Sequence, residues 1–124
     1  MKIAVTAESN TPNAQIDSRF GRCRYFLIFD TEKNSYEAIE NSNAQVSGGA
    51  GIQSAQLIVT RGIETVLTGN VGPNAFKVLE AGGIKVMTNV SGTVAMAIEK
   101  FNQGRMKPAS VPTVHSKFGA QSGQ

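Results

Sequence analysis

Glu64 to Thr88 reads ETVLTGNVGPNAFKVLEAGGIKVMT, and the order of signals inside it decides the fold. A short apolar run at Glu64–Thr68 predicts a strand. Pro73 then fits the first turn of a helix, where its missing N–H is no loss. The helix is predicted from about Pro73 to Ala81, Gly82 and Gly83 close it, and a second strand follows at Ile84–Thr88. Strand, helix and strand at this spacing favour parallel strands joined by a right-handed crossover.

The same alternation extends on both sides. Upstream, the small-residue stretch Ser47–Gly51 precedes Ile52, Ala55, Ile58 and Val59 at helical spacing, with Gly62 as the stop. Downstream, Val94, Ile98 and Phe101 form an apolar stripe in a helix predicted from about Thr93 to Gln103. Nearer the N-terminus, Lys2–Ala7 (KIAVTA) suits a strand covered on both faces, and Glu8–Ser18 reads as a loop. Arg24–Asp30 and Ser35–Asn41 read as a hairpin around a turn at Thr31–Asn34. Its second strand lies at a sheet edge because it carries Glu37 and Glu40. The expectation is an α/β domain: a five-stranded mixed sheet, antiparallel in its hairpin half and parallel in the other, with about three helices on its faces. A single domain is expected over residues 1–106. From Lys107 to Gln124 the sequence has two prolines and no helical period, and it reads as a mobile tail.

Composition limits what such a domain can be. At 124 residues one domain with one core is the default, and it buries roughly two-thirds of its unfolded surface without covalent staples. A single cysteine, Cys23, makes no internal disulfide and argues for a reducing compartment. The apolar run near Met1 is too short for a signal peptide, and no stretch approaches the roughly 18 to 20 apolar residues of a membrane span. A soluble cytoplasmic protein with no membrane partner is expected. The net charge of +3 is small, and the chain lacks a long basic face with interleaved aromatics, so a nucleic-acid partner is not expected.

Three loops should leave neighbouring strands: the one after the first strand, Ser47–Gly51, and Gly69–Asn74 (GNVGPN). In open α/β sheets the crevice outside strand carboxyl ends is the usual ligand site, and helix N-termini there present free N–H groups and a positive dipole end. Glycines 48, 49 and 51 would let backbone approach a bulky anion, although they also suit a merely flexible turn. Ser18–Arg24 (SRFGRCR) places three arginines around Cys23. They are either a solvated charged rim beside a buried filler or an electropositive pocket offering a thiolate. His115, the only histidine, reads as a surface residue of the tail. One Cys and one His cannot close a structural zinc site, and no nucleophile has an evident base, so the reading is not that of an enzyme.

SRFGRCRYFLIFD (18–30), GAGIQSAQLIVTRGIETVLTGNVGPNAF (49–76) and the GIKV and GTVAMAIEKFNQGRM segments within residues 83–106 together resemble the dinitrogenase iron-molybdenum cofactor biosynthesis family. That family comprises small carriers and chaperones of nitrogenase cofactor assembly, a domain fused to the cofactor-synthesising radical enzyme, and stand-alone members. The resemblance implies a ribonuclease H-like fold. It also implies non-enzymatic binding or carriage of an anionic iron–sulfur or iron–molybdenum-type cluster, with cofactor-assembly proteins as partners and a monomer or weak homo-oligomer. Carried onto this chain, the cofactor-binding residues are Arg22, Cys23, Arg24, Gly49, Gly51, Gly69, Gly72 and Asn74, with Cys23 as the metal ligand. The competing readings are a protein or enzyme acting on a small phosphate-type ligand in the same crevice, and an interaction module.

Overall fold

A computed structural model describes residues 1–44 and 48–113. Its strands are β1 (Lys2–Ala7), β2 (Tyr25–Asp30), β3 (Ser35–Glu40), β4 (Thr65–Leu67) and β5 (Lys85–Met87). Its helices are α1 (Ala50–Thr60), α2 (Pro73–Ala81) and α3 (Val94–Asn102). The strands form one sheet in the order β3-β2-β1-β4-β5. The β1–β2 and β2–β3 pairs are antiparallel, while β1–β4 and β4–β5 are parallel. The mixed sheet with three helices expected from the sequence is therefore present, and β3 occupies an edge as its glutamates suggested.

Alternation along the strands divides the core into two layers. Ala4, Phe26, Ile28, Val66 and Val86 face one way, against Ala55 and Ile58 of α1 and Phe76 and Leu79 of α2. Ile3, Val5, Leu27, Phe29, Leu67 and Met87 face the other way, against Val94, Ala97 and Ile98 of α3. A strand with layers on both sides must be apolar at consecutive positions, and β1 is buried from Ile3 to Ala7. No helix among the described residues is long and apolar enough to cross a membrane.

Helix ends follow the glycines. After α2, Gly83 takes φ 77°; its N–H donates to the Glu80 carbonyl, and that of Ile84 to the Leu79 carbonyl. This double closure satisfies the last carbonyls and turns the chain directly into β5. At the start of α3, Thr93 Oγ1 accepts a hydrogen bond from the Met96 N–H at 3.2 Å, an ordinary side-chain cap.

Two segments are more structured than their sequences suggest. The loop after β1 is pinned by isolated bridges joining Ala7 to Ile16 and Gln15 to Thr93, and it buries Ala14, Ile16 and Asp17. The first part of the expected mobile tail is also attached. The Ala109 N–H donates to the Val86 carbonyl at 2.7 Å and the Thr113 N–H to that of Val71 at 3.0 Å. The Thr113 hydroxyl accepts from the Val71 N–H at 2.8 Å. The strap thus takes the Val86 carbonyl on the free side of β5 and both backbone groups of Val71 in the loop between β4 and α2. A segment with few apolar side chains can still pack when a strand edge offers it main-chain partners. Residues 114–124, including His115, lie outside the described residues.

Truncation after Met106 removes these three hydrogen bonds and is expected to lower stability by about 2 kcal/mol, read from the urea unfolding midpoint. An unchanged midpoint would show that the strap contributes nothing to the fold.

Candidate functional site

The site is built on a backbone contact. Phe20–Arg22 forms a single 3-10 turn, and Gly21 within it lies against the first turn of α1. A Cβ on Gly21 would stand 2.7 Å from the Gly51 Cα and 2.8 Å from the Gly51 nitrogen, so the turn can come this close to α1 only with a glycine at position 21. Next to it, a Cβ on Gly69 would stand 2.7 Å from the Ser18 Cα. That second approach lets the arginine loop run beside the exit of β4, with the Asn70 N–H donating to the Ser18 carbonyl at 2.7 Å and the Phe20 N–H to the Asn70 carbonyl at 3.1 Å.

Buried polar groups hold the loop from beneath. The Thr6 hydroxyl donates to the Asp17 carbonyl at 2.7 Å and meets the Thr68 hydroxyl at 2.9 Å. The buried Asp17 carboxylate accepts from the Arg19 backbone N–H at 3.0 Å and from its guanidinium at 3.2 and 3.3 Å. That hydrogen bond and the carboxylate charge raise the Arg19 pKa above its ordinary value. Asn41, 4% exposed, donates to the Gly21 and Cys23 carbonyls at 3.3 and 3.0 Å. The Ser54 hydroxyl, on the buried face of α1, is placed at 3.3 Å from both the Gly21 carbonyl and Asn41 Oδ1. Each of these groups would be costly to bury unpaired, and together they fix the turn to α1 and to the end of β3.

Between the turn and the N-termini of α1 and α2 opens a cleft of about 550 Å³. Arg19 and Arg22 line one side, Gly49, Gly51 and Ile52 a second, and Asn70, Gly72 and Asn74 a third. Gly49, at the N-cap of α1, has φ 72°, a left-handed conformation that an L side chain adopts only with strain. Neither α1 nor α2 has an acidic residue in its first turn, and neither has a side-chain cap of the kind Thr93 gives α3. The first N–H groups of both helices have no partner within their own helix, and their positive dipole ends converge on the same cleft. No carboxylate, imidazole or thiol is among the lining residues. Among the described residues no group of His, Cys, Asp or Glu could hold a metal ion by itself. The arrangement can hold an anion by hydrogen bonds, and its lining offers no base or nucleophile.

Of the residues singled out in the sequence, Arg22, Gly49, Gly51, Gly72 and Asn74 line this cleft, together with Arg19, Asn70 and Ile52. Gly69 acts from behind, through its approach to Ser18. Arg24 lies outside the cleft. It lines a separate hollow with Arg22, Glu40 and Asn41, and its guanidinium carbon stands 5.8 Å from the Tyr25 ring centre. Cys23 is fully buried in the α1–α2 core layer, and its thiol donates to the Phe20 carbonyl at 3.3 Å. Burial, aided by the Asp17 charge, pushes this thiol well above its ordinary pKa. Of the two sequence readings of Cys23, the buried filler is the one the packing matches. Thr113, pinned to Val71, ends the described chain beside the cleft residues Asn70 and Gly72.

A family model for the dinitrogenase iron-molybdenum cofactor matches residues 1–104. The chain belongs to this family. An uncharacterised protein of Methanocaldococcus jannaschii is 31% identical over 110 residues, which cover 86% of this chain and 90% of that protein. Among solved structures, the apo form of the orange protein from Desulfovibrio gigas matches with a TM-score of 0.88 at 38% identity, covering 90% of this chain and 95% of the other. A NifB-like protein from Thermotoga matches with a TM-score of 0.79 at 36% identity, covering 90% and 96%. Membership of the iron-molybdenum cofactor family associates this chain with an iron–molybdenum-type cofactor, and the fold is shared with the two solved structures.

Two outcomes follow from this packing. Gly21→Ala drives a methyl group into the backbone of α1 and is expected to destabilise the protein by about 1 to 3 kcal/mol. Gly62→Ala, with φ 71° and nothing within 4 Å, should lose only the left-handed backbone cost of about 1 kcal/mol; urea unfolding of both variants checks the order. Cys23 in the folded protein should resist alkylation by iodoacetamide at pH 8 and react fully once denatured. Rapid native labelling would mean that the turn opens readily.

Proposed function

We propose that the protein binds and carries an anionic iron–sulfur or iron–molybdenum-type cluster in the cleft between the arginine turn and the starts of α1 and α2, with no reaction of its own. The observation that carries this reading is the pair of uncapped helix N-termini facing Arg22 across about 550 Å³. In α3 the Thr93 hydroxyl meets the Met96 N–H and the Ala14 and Pro12 carbonyls meet those of Val94 and Ala95, whereas α1 and α2 have no side-chain cap at their starts. Membership of the iron-molybdenum cofactor family supports a metal–sulfur cluster as the anion. Since the lining has no thiol or imidazole, the cargo would bring its own sulfides and be held through its outer atoms by N–H and guanidinium donors. Cys23 could ligate a metal only if the 3-10 turn opened. Proteins that make or receive the cluster are the corresponding partners. The ribonuclease H-like label is supported by the mixed sheet.

Anaerobic titration of the apo protein with a preformed iron–sulfur cluster, followed by its visible absorption, tests the proposal. Arg22→Ala should weaken binding by about tenfold or more, the loss of one charge-assisted hydrogen bond, while Cys23→Ser should leave affinity unchanged. Binding no tighter than to an unrelated protein of similar charge would refute the carrier reading. A nucleotide or sugar phosphate that raises the melting temperature where the cluster does not would point instead to a phosphate-type ligand.

A further inference from the structure

The end of α3 builds a second cationic hollow, on the opposite face of the sheet from the cleft. Gly104 takes φ 72°; its N–H donates to the Phe101 carbonyl at 3.0 Å, and that of Arg105 to the Lys100 carbonyl at 3.2 Å. This closure folds the chain back so that Arg105 and Lys107 come beside Lys100. Opposite them runs the loop that leaves β5, with Thr88, Asn89 and Ser91. The two segments enclose a cavity of about 250 Å³ whose lining contains no carboxylate.

Among the described residues the cations of this cavity have no counter-charge. Arg19 is paired with Asp17 and Arg61 with Glu37. Among the described residues, neither Lys100, Arg105 nor Lys107 forms an ion pair, and the one side-chain hydrogen bond of Arg105 goes to Gln103 Oε1. Basic residues at a helix C-terminus commonly serve its unsatisfied carbonyls. Here backbone donors already meet the carbonyls of Glu99, Lys100 and Phe101. Three like charges gathered in one hollow repel one another, and an anion between them turns that repulsion into attraction. Two hydroxyls and an amide complete a donor-rich lining.

The loop opposite is held rigidly. Asn89 has φ 60°, a left-handed conformation in a residue that is not glycine. The Asn89 N–H donates to the Gly69 carbonyl at 2.8 Å and the Val90 N–H to the Thr68 carbonyl at 3.1 Å. Strain of this kind persists where the surroundings fix it, and it concentrates at ligand sites. The hollow also opens beyond the carboxyl end of a parallel strand, the usual ligand position of such sheets.

From this convergence we infer that the Lys100–Arg105–Lys107 hollow is a binding site for a phosphate-type oxyanion, independent of the cleft. Its size fits one oxyanion group better than a bulky cofactor. Three cationic donors with two hydroxyls match the acceptor oxygens of a tetrahedral anion.

The test is an amide NMR titration of the full chain with inorganic phosphate, and separately with a nucleoside monophosphate, at ionic strength held constant with sodium chloride. The expected result is saturable shifts confined to residues 88–91 and 100–107. Saturation by inorganic phosphate identifies a free-anion site, and saturation only by the monophosphate identifies an esterified one; either supports the inference. The double variant Arg105→Ala/Lys107→Ala, its fold verified by an otherwise unchanged spectrum, should raise the dissociation constant by about tenfold or more. Arg22→Ala should leave it unchanged, so this inference and the carrier reading fail separately. Shifts that do not saturate, that follow chloride equally, or that fall on the cleft residues would overturn it, as would binding of a glutamate-rich peptide without binding of either phosphate.

Discussion

The contact between Gly21 and Gly51 is the constraint on which the rest of the site depends. Two backbones meet at a distance that excludes even a methyl group, and this sets how near the arginine turn stands to the start of α1. A larger residue at Gly21 would push the turn outward, widen the cleft and break the hydrogen bonds of Asn41 and Ser54 to the Gly21 carbonyl. Gly69 against Ser18 does the same on the β4 side. The cleft is thus shaped by backbone clearance, and the charged side chains are carried on a frame whose spacing is already determined.

That division explains which parts were legible in the sequence. Period and punctuation state which segments are strands and helices, because burial on one or both faces must appear in the residue pattern. The run from Ile3 to Ala7 announced a central strand, Pro73 and Gly83 bracketed α2, and Glu37 and Glu40 marked β3 as an edge. Five strands and three helices emerged within a residue or two of their ends. The glycines at 49, 51 and 72 were equally readable as permissive loops, since a missing side chain next to a predicted helix start has few structural uses.

Pairwise contacts between distant polar residues were not legible. Nothing local to Asn41 or Ser54 says that they meet over the Gly21 carbonyl, and nothing in Thr6 says that its hydroxyl reaches Asp17. A faint signal existed for Ser54, which shares the inward face of α1 with Ala55 and Ile58 and so had to find a partner there. Cys23 shows the reverse limit. Its arginine neighbours in sequence suggested an activated thiolate, but the chain leaves its 3-10 turn at Arg22 and becomes extended at Cys23, so neighbouring side chains point in different directions. Arg22 and Arg24 are exposed while Cys23 between them is buried with Phe26 and Ala55. Proximity along the chain did not become proximity in space. The attachment of residues 107–113 was not legible because it rests on two main-chain hydrogen bonds and one threonine hydroxyl, which composition does not encode.

A lining made of N–H groups, amides and guanidinium has a consequence for how the proposed carrier would release its cargo. Metal–thiolate bonds would have to be broken one by one, with protonation or ligand exchange, before a cluster could leave. Hydrogen bonds to outer atoms can be replaced by water or by a partner's donors through small steps, each worth about 1.5 to 3 kcal/mol when one side is charged. Arg19 is already committed to Asp17, so the preorganised part of the field comes from the two helix ends and costs no rearrangement when an anion arrives. An arrangement of this kind favours retention through summed electrostatics and release through exchange, which is the balance a carrier needs and a resident cofactor site does not.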